Sequence, residues 1–144
     1  MATTRTANTH WTGSLMEGEG TVELASSGIG TFPVTWASRA ETPQDRTSPE
    51  ELIAGAHATC YSMALSHALA GAGTPPTSVD TSADVTFQPG EGITEIKLTV
   101  RAVIPGVTAE QFAEFAQNAK ENCPVSQALA AVKNISLDAE LVEG

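Results

Sequence analysis

Residues 48–60 have the sequence SPEELIAGAHATC, and this stretch begins the longest helix that the sequence predicts. Ser48 is suited to the N-cap, a proline follows at the first helical position, and Glu51 completes a capping box. Small and apolar residues continue to about Ala70, after which Gly71-Ala-Gly73 and two prolines beyond it end the helix. The sequence therefore predicts one long, weakly polar helix near the middle of the chain.

The segment before this helix is predicted to form β-hairpins. Short runs of β-branched and aromatic residues are separated by Gly and Ser, which places strands at 9–12, 20–25 and 31–36. A polar stretch from Ala37 to Thr47 follows, with Pro43 in its middle.

The segment after the helix is predicted to contain a second β-hairpin, two helices and a last strand. Apolar residues alternate from Ile96 to Ile104, and residues 81–87 are the predicted partner of that strand. The remaining elements are expected at 108–122 and 124–132 for the helices and at 136–142 for the strand. The predicted fold is α+β, with antiparallel sheets, a long central helix and two further helices in a single domain over residues 1–144.

The composition argues against several classes of partner. The chain has 144 residues and a net charge of -10 with only seven Lys and Arg, so no nucleic-acid partner is expected. No apolar run is long enough to span a bilayer, and the first ten residues lack the apolar core of a secretory signal. A cytoplasmic protein without a membrane partner is therefore predicted, and in that compartment cysteine pairs tend to be catalytic or redox-sensing.

Cys60 and Cys123 are the two cysteines of the chain. Two thiols can run an oxidation cycle in which one sulfur attacks and the second closes a disulfide. Cys60 lies within the predicted long helix among small and apolar residues, where desolvation raises the pKa of a thiol. Cys123 precedes Pro124 at a predicted helix start, where the pKa of a thiol is lowered. Local physics therefore favours Cys123 as the nucleophile and leaves the choice open, as it leaves open two buried structural thiols.

A cation is needed to activate a desolvated Cys60, and the segment before the long helix offers Arg39 and Arg46. Arginine suits this task because its forked guanidinium can hold a thiolate and a carboxylate together. Glu50, in the first turn of the helix, either stabilises the helix dipole or orients the arginine.

No metal site is predicted. His57 and His67 share a helix face with Cys60, but at 1.5 Å per residue His67 is ~10 Å along the axis from Cys60. That distance is too long for one ion, and zinc sites usually draw three or four ligands from more than one element.

Residues 48–66, SPEELIAGAHATCYSMALS, and residues 122–129, NCPVSQAL, resemble the osmotically inducible protein C (OsmC) branch of the OsmC/Ohr family of thiol-dependent peroxidases. The resemblance extends over nearly the whole chain in length and order of elements. It implies an intertwined homodimer. It also implies an enzyme that reduces organic hydroperoxides, and hydrogen peroxide more weakly, to alcohols without a cofactor.

The same resemblance implies roles for individual residues. Cys60 would be the peroxidatic thiol, Cys123 the resolving thiol that forms a disulfide with it, and Glu50 the carboxylate that pairs with the active-site arginine. In the Ohr branch this arginine lies in an N-terminal hairpin, but residues 15–20, LMEGEG, contain none. Arg39 fits the position used by the OsmC branch better than the other candidate does. An external dithiol, lipoyl-type in the best understood branch, would reduce the disulfide.

Glu50 and Cys60 are ten positions apart on the predicted helix, which corresponds to ~15 Å along its axis. Both cannot touch one peroxide from the same helix, so each active site is expected to combine two chains whose helices pack antiparallel near Gly55.

Two other functions compete with a peroxidase. One is a non-enzymatic domain that binds a small apolar ligand or senses redox state through structural thiols. The other is thiol–disulfide exchange, which the absence of a Cys-x-x-Cys pair disfavours.

Overall fold

The computed structural model describes residues 1–143, so Gly144, the last residue of the predicted domain, lies outside the described residues. The chain forms two compact units, Met1–Leu52 and Ile53–Gly144. The assignment of residues 1–144 to a single domain stays a prediction.

The first unit contains a three-stranded antiparallel sheet and a short helix. Its strands pair in the order β1 (Asn8–Thr12), β2 (Glu19–Glu23) and β3 (Thr31–Val34), which confirms the predicted strands. Helix α1 (Trp36–Ala40) begins at the last residue of the third predicted strand and extends into the polar stretch, so the prediction was wrong at the end of that strand and included no helix there. The capping box of α1 has Ser38 where the sequence signal expects Glu or Gln, and five residues are too few to show a helical period.

The long helix α2 (Pro49–Gly71) confirms the prediction almost to the residue. The hydroxyl of Ser48 accepts a hydrogen bond from the amide of Glu51 at 3.1 Å, as expected of an N-cap. The Glu51 carboxylate accepts a hydrogen bond from the hydroxyl of Thr47 at 2.7 Å. Among residues 1–143, no helix has the length and apolar character needed to cross a membrane.

The second unit continues α2 and adds a sheet and two helices, which makes the protein α+β as predicted. The elements are β4 (Ser78–Gln88), β5 (Gly92–Val103), α3 (Ala109–Asn122), α4 (Pro124–Ala128) and β6 (Asn134–Leu141). The sheet is mixed and not wholly antiparallel, because β6 pairs parallel with β5 while β4 pairs antiparallel with it. The two helices return the chain to the end where β5 began, as a parallel connection requires. Helix α4 is shorter than the predicted helix at 124–132.

The core of the second unit is built from α2, β5 and α3. Its buried residues are Tyr61, Leu65 and Leu69 from α2, Leu98, Val100 and Ala102 from β5, and Phe112, Ala116 and Ala119 from α3. Cys123 belongs to this cluster, and Cys60 packs against it. The opposite face of the sheet is polar, since Arg101 of β5 forms ion pairs with Asp138 and Glu140 of β6. The second unit therefore places its two thiols on the apolar side of its sheet.

Candidate active site

Arg39 and Glu50 form an ion pair in the first unit. The Nε atom of Arg39 donates to both carboxylate oxygens of Glu50 at 3.0 and 3.2 Å, and Nη2 lies 2.9 Å from Oε1. The Glu50 side chain is 8% exposed and that of Arg39 is 32% exposed. Two nitrogens facing one carboxylate fix the plane of the guanidinium as well as its position.

Helix α1 places Arg39 opposite Glu50. The Thr35 hydroxyl accepts from the Ser38 amide at 3.1 Å and caps the helix. The buried Ser38 hydroxyl lies 2.8 Å from the carbonyl oxygen of Thr47, just before α2. The second of these bonds connects the two ends of the loop between α1 and α2, so the helix that the sequence pattern missed holds the arginine in place.

Arg46, the other candidate arginine, forms no hydrogen bond or ion pair with Glu50 within residues 1–143. Its Nη1 donates to the backbone carbonyl of Gln44 at 3.2 Å. Gln44 and Asp45 both have positive φ angles, 50° and 61°, in the tight turn before Arg46. This turn directs Arg46 toward the sheet, where it lines a pocket of about 250 Å³ with His10.

An apolar cavity of about 360 Å³ adjoins Arg39 within the first unit. Its lining includes Trp11, Val22 and Trp36, with Arg39 as its charged member. The volume falls in the range of pockets for small organic molecules, ~300–1,000 Å³. The cavity can therefore take an apolar group while a polar end faces the guanidinium.

Cys60 and Cys123 lie side by side in the second unit, and both are free thiols. Cys123 is fully buried, whereas Cys60 is partly exposed. Burial raises the pKa of Cys60, the hydrogen bond and charge of Cys123 raise it further, and a backbone hydrogen bond from Val125 lowers it. The two thiols are therefore adjacent, as the formation of a disulfide between them requires.

The amide of Val125 changes the comparison between the two thiols. Cys123 is the N-cap of α4, as the sequence suggested, but its side chain makes no capping hydrogen bond. The amide of Val125, one residue after Pro124, instead donates to Cys60. Hydrogen bonding of this kind stabilises a thiolate, so part of the stabilisation expected for Cys123 is directed to Cys60.

The sequence did not predict a second contact between α2 and α4. Nε2 of His57 lies 2.7 Å from the hydroxyl oxygen of Ser126, and both side chains are buried. Burial lowers the pKa of His57, which favours the neutral imidazole. The available signal was spacing, because His57 lies one turn before Cys60 and Ser126 one turn after Cys123.

In the described part of the chain, no group of three or more His, Cys, Asp or Glu side chains is arranged to hold a metal ion. The structure thus brings Arg39 to Glu50 and Cys60 to Cys123, each pair within its own unit.

Comparison with known proteins gives consistent results. A family model described as OsmC-like protein matches residues 42–138. Peroxiredoxin OsmC of Escherichia coli is 44% identical over 135 residues, which cover 92% of this chain and 92% of that protein. Peroxiredoxin OsmC of Shigella flexneri matches with the same identity and coverage.

Solved structures share the fold. The organic hydroperoxide resistance protein OsmC of Legionella pneumophila has a TM-score of 0.71 and 22% identity, with 98% of both chains covered. The organic hydroperoxide resistance protein OhrB of Bacillus subtilis has a TM-score of 0.64 and 23% identity, with 95% of this chain and 98% of that chain covered. These similarities confirm the predicted fold class.

Proposed function

The chain belongs to the OsmC-like protein family, and we propose that it is a thiol-dependent peroxidase that reduces organic hydroperoxides, and hydrogen peroxide more weakly. One observation carries the proposal: Cys60 and Cys123 are adjacent free thiols in a chain 44% identical to a peroxiredoxin. Cys60 is the peroxidatic thiol, and Cys123 is the resolving thiol.

The proposed catalytic cycle has three steps: oxidation of Cys60, formation of the disulfide and its reduction. The Cys60 thiolate attacks the distal oxygen of ROOH, an S–O bond forms as the O–O bond breaks, and RO⁻ takes up a proton and leaves as the alcohol. The Cys123 thiol then attacks the sulfenic acid, a disulfide forms, and water leaves. An external dithiol, oxidised to its own disulfide, returns both cysteines to thiols. We place this cycle in the cytoplasm, where such reductants are maintained.

Arg39 supplies the charge that Cys60 lacks. Burial and Cys123 raise the pKa of Cys60, and no cation is among the groups within residues 1–143 that shift it. A guanidinium beside the sulfur would favour the thiolate and stabilise the negative charge that develops on the leaving oxygen. Glu50 orients this guanidinium through its bonds to Nε and Nη2.

The arginine and the thiol of each site come from different chains of a homodimer. Helix α2 is uninterrupted from Pro49 to Gly71, so Glu50 and Cys60 are separated by ~15 Å along its axis. Antiparallel packing of two α2 helices about a two-fold axis near Gly55 would place Glu50 of one protomer level with Cys60 of its partner.

The exposed side of α2 supports this arrangement. Gly55, Ala56, Thr59 and Met63 are exposed and uncharged, and Met63 is 67% exposed. A Cβ atom on Gly55 would meet no atom of the chain within 4 Å, so the chain's own packing does not require a glycine there. Glycine within a helix costs about 0.5–1 kcal/mol relative to alanine. Close approach of a second helix gives a reason for it.

The apolar cavity beside Arg39 supports an organic substrate. The alkyl or aryl group of a hydroperoxide would leave water on entering it, which contributes about 0.8 kcal/mol for each CH₂ buried. Hydrogen peroxide has no such group and gains nothing there. This difference accounts for a preference for organic hydroperoxides.

A steady-state assay tests the function. Consumption of cumene hydroperoxide and of hydrogen peroxide is measured with dihydrolipoate or dithiothreitol as the reductant, for the wild type and for Cys60→Ser. We expect the wild type to consume cumene hydroperoxide at least ~10-fold faster than hydrogen peroxide, in keeping with a few buried carbons. Equal rates for the wild type and Cys60→Ser with every peroxide would refute the peroxidase.

The apolar cavity also suits the non-enzymatic alternative, a domain that binds a small apolar ligand. The two tryptophans of the chain, Trp11 and Trp36, both line it, so tryptophan fluorescence reports on its occupant. A ligand-binding domain would change its fluorescence on binding cumyl alcohol and would consume no peroxide. A peroxidase is expected to show both signals.

A further inference from the structure

Three contacts link α2 to the start of α4. His57 bonds to Ser126 at 2.7 Å, the amide of Val125 bonds to Cys60, and the Cys123 side chain bonds to Cys60. The first contact lies next to the other two, because His57 precedes Cys60 by one helical turn and Ser126 follows Cys123 by one turn.

The His57–Ser126 contact is buried from water. His57 is 0% exposed and Ser126 is 7% exposed. In the described chain, Nδ1 of His57 is buried without a hydrogen-bond partner. An unpaired N–H is the costlier group to bury, so the proton belongs on Nε2, which then donates to the Ser126 hydroxyl.

A serine beside a histidine is also the pattern of a nucleophilic dyad, but this pair does not fit that role. Catalytic histidines are oriented by a third group on the second ring nitrogen, and Nδ1 of His57 has no partner among the described residues. Substrate also cannot reach a serine that is 7% exposed. The geometry therefore favours a structural link over a second reactive centre.

Helix α4 needs such a link because it is only five residues long. A helix of that length is unstable alone and takes its position from contacts with its surroundings. The Val125 amide, which acts on Cys60, lies within α4, and Cys123 is both the N-cap residue of α4 and the C-cap residue of α3. The hydrogen bond between His57 and Ser126 joins a side chain of α2 directly to a side chain of α4.

We propose that His57 is a positioning residue for the resolving step: through Ser126 it holds α4 so that the Val125 amide and the Cys123 thiol both stay on Cys60. The proposal rests on the peroxidase function. In that step the Cys123 sulfur bonds to the sulfenic sulfur of Cys60, and water leaves with the sulfenic oxygen. The two sulfurs must close to ~2.05 Å, so a shift of α4 slows the reaction sharply.

Two variants remove the bond and one keeps it. Ser126→Ala and His57→Leu remove one partner each, whereas His57→Gln retains an N–H donor near the position of Nε2. Ser62→Ala is the matched control, because Ser62 also lies on α2 next to the thiol region and its hydroxyl bonds to Thr81 of β4 at 2.7 Å. Thermal unfolding verifies that each variant is folded. If His57→Leu alone is unfolded, the comparison rests on Ser126→Ala.

Single-turnover kinetics with one equivalent of cumene hydroperoxide give the first readout. We expect disulfide formation to slow at least ~10-fold in Ser126→Ala and His57→Leu, with a trappable sulfenic acid of longer lifetime. The pKa of Cys60, from alkylation rate against pH, should rise because the Val125 amide is displaced. His57→Gln should recover most of the wild-type rate, and Ser62→Ala should change neither value.

The second readout does not depend on peroxide. The equilibrium between the dithiol and the Cys60–Cys123 disulfide is measured in buffers of oxidised and reduced dithiothreitol, and the equilibrium constant for disulfide formation should fall at least ~10-fold in Ser126→Ala. An unchanged constant together with an unchanged rate of disulfide formation would overturn the positioning role. Failure of the peroxidase function alone would leave this equilibrium shift intact, so the two failures are distinguishable.

Discussion

Arg39 and Glu50 meet across a short loop with the arginine one-third exposed, whereas Cys60 and Cys123 meet beside an apolar core. In the ion pair, the positive charge of Arg39 is balanced by the negative charge of Glu50 within the first unit. In the thiol pair, burial and Cys123 raise the pKa of Cys60, and the hydrogen bond from the Val125 amide lowers it in part. Neither pair alone has what peroxide reduction requires, because one supplies charge without a nucleophile and the other a nucleophile without a cation.

The two pairs differ in the surroundings that they require. A charged pair tolerates water and can be built from a loop and a helix end. A thiol pair that must form a disulfide needs sulfur positions close to disulfide geometry, and here both cysteines pack at the apolar core of the second unit. In the proposed dimer the two requirements are met in separate units and combined by pairing two chains.

The largest expected effect comes from breaking the thiol pair. Cys60→Ser should lose all peroxide consumption, since the nucleophile is gone. Cys123→Ser should still consume one equivalent of peroxide per chain and accumulate a sulfenic acid that dimedone traps, because nothing resolves it. Rapid mixing followed by mass spectrometry measures both. If the burst survives in Cys60→Ser and vanishes in Cys123→Ser, the roles of the two thiols are reversed.

The next largest effect comes from breaking the ion pair. Arg39→Lys keeps a positive charge but loses the planar contact with Glu50, so kcat/KM should fall by roughly 100-fold. The pKa of Cys60 should rise, as measured by alkylation rate against pH. Arg46→Lys is the control and should remain within about three-fold of the wild type. A larger loss in Arg46→Lys than in Arg39→Lys would assign the active-site arginine to Arg46.

Mixing chains that lack Cys60 with chains that lack Glu50 tests whether each active site combines residues of two chains. Inactive Cys60→Ser and inactive Glu50→Ala chains are unfolded together and refolded. With random pairing half of the dimers are mixed and each has one intact site, so about a quarter of the wild-type activity should return. If heterodimers form, as shown by tags on each chain, and activity stays at zero, the shared site is wrong.

The smallest effect concerns stability around the thiol pair. Burial lowers the pKa of His57 below its ordinary value of 6.5, so between those two values only the unfolded chain binds the proton. The free energy of unfolding should then fall as the pH drops below 6.5, by at most ~1.4 kcal/mol per pH unit. Urea unfolding at pH 7.5 and 5.5 should show a smaller difference in His57→Gln than in the wild type. An equal difference in both proteins would contradict this assignment.

Local signals accounted for much of the fold. The limits of α2 followed from its N-cap and its glycine end, and the β4–β5 hairpin followed from alternation. The capping box of α3, with Thr108 and Gln111, lies where a Thr-x-x-Gln pattern indicates a helix start. Each of these signals lies within one element, and this is why sequence alone was sufficient.

Other features had no local signal. The parallel pairing of β6 depends on how α3 and α4 route the chain, and α1 is too short to show a period. The bond between His57 and Ser126 joins residues 69 positions apart. The spacing of each residue from its own cysteine was visible, but a single sequence does not show that two residues so distant are bonded to each other, because either residue suits many other surroundings.

The long helix, the α+β class and the two thiols in family motifs could all be predicted from the sequence, since caps, periodicity and motifs are properties of neighbouring residues. The folded structure was needed to see that Arg39 and not Arg46 faces Glu50, and that the amide of Val125 faces Cys60. A hydrogen bond forms only at a certain distance and angle between donor and acceptor. For these pairs, that distance and angle are reached only when the turn before α2 has formed and α4 has packed against α2.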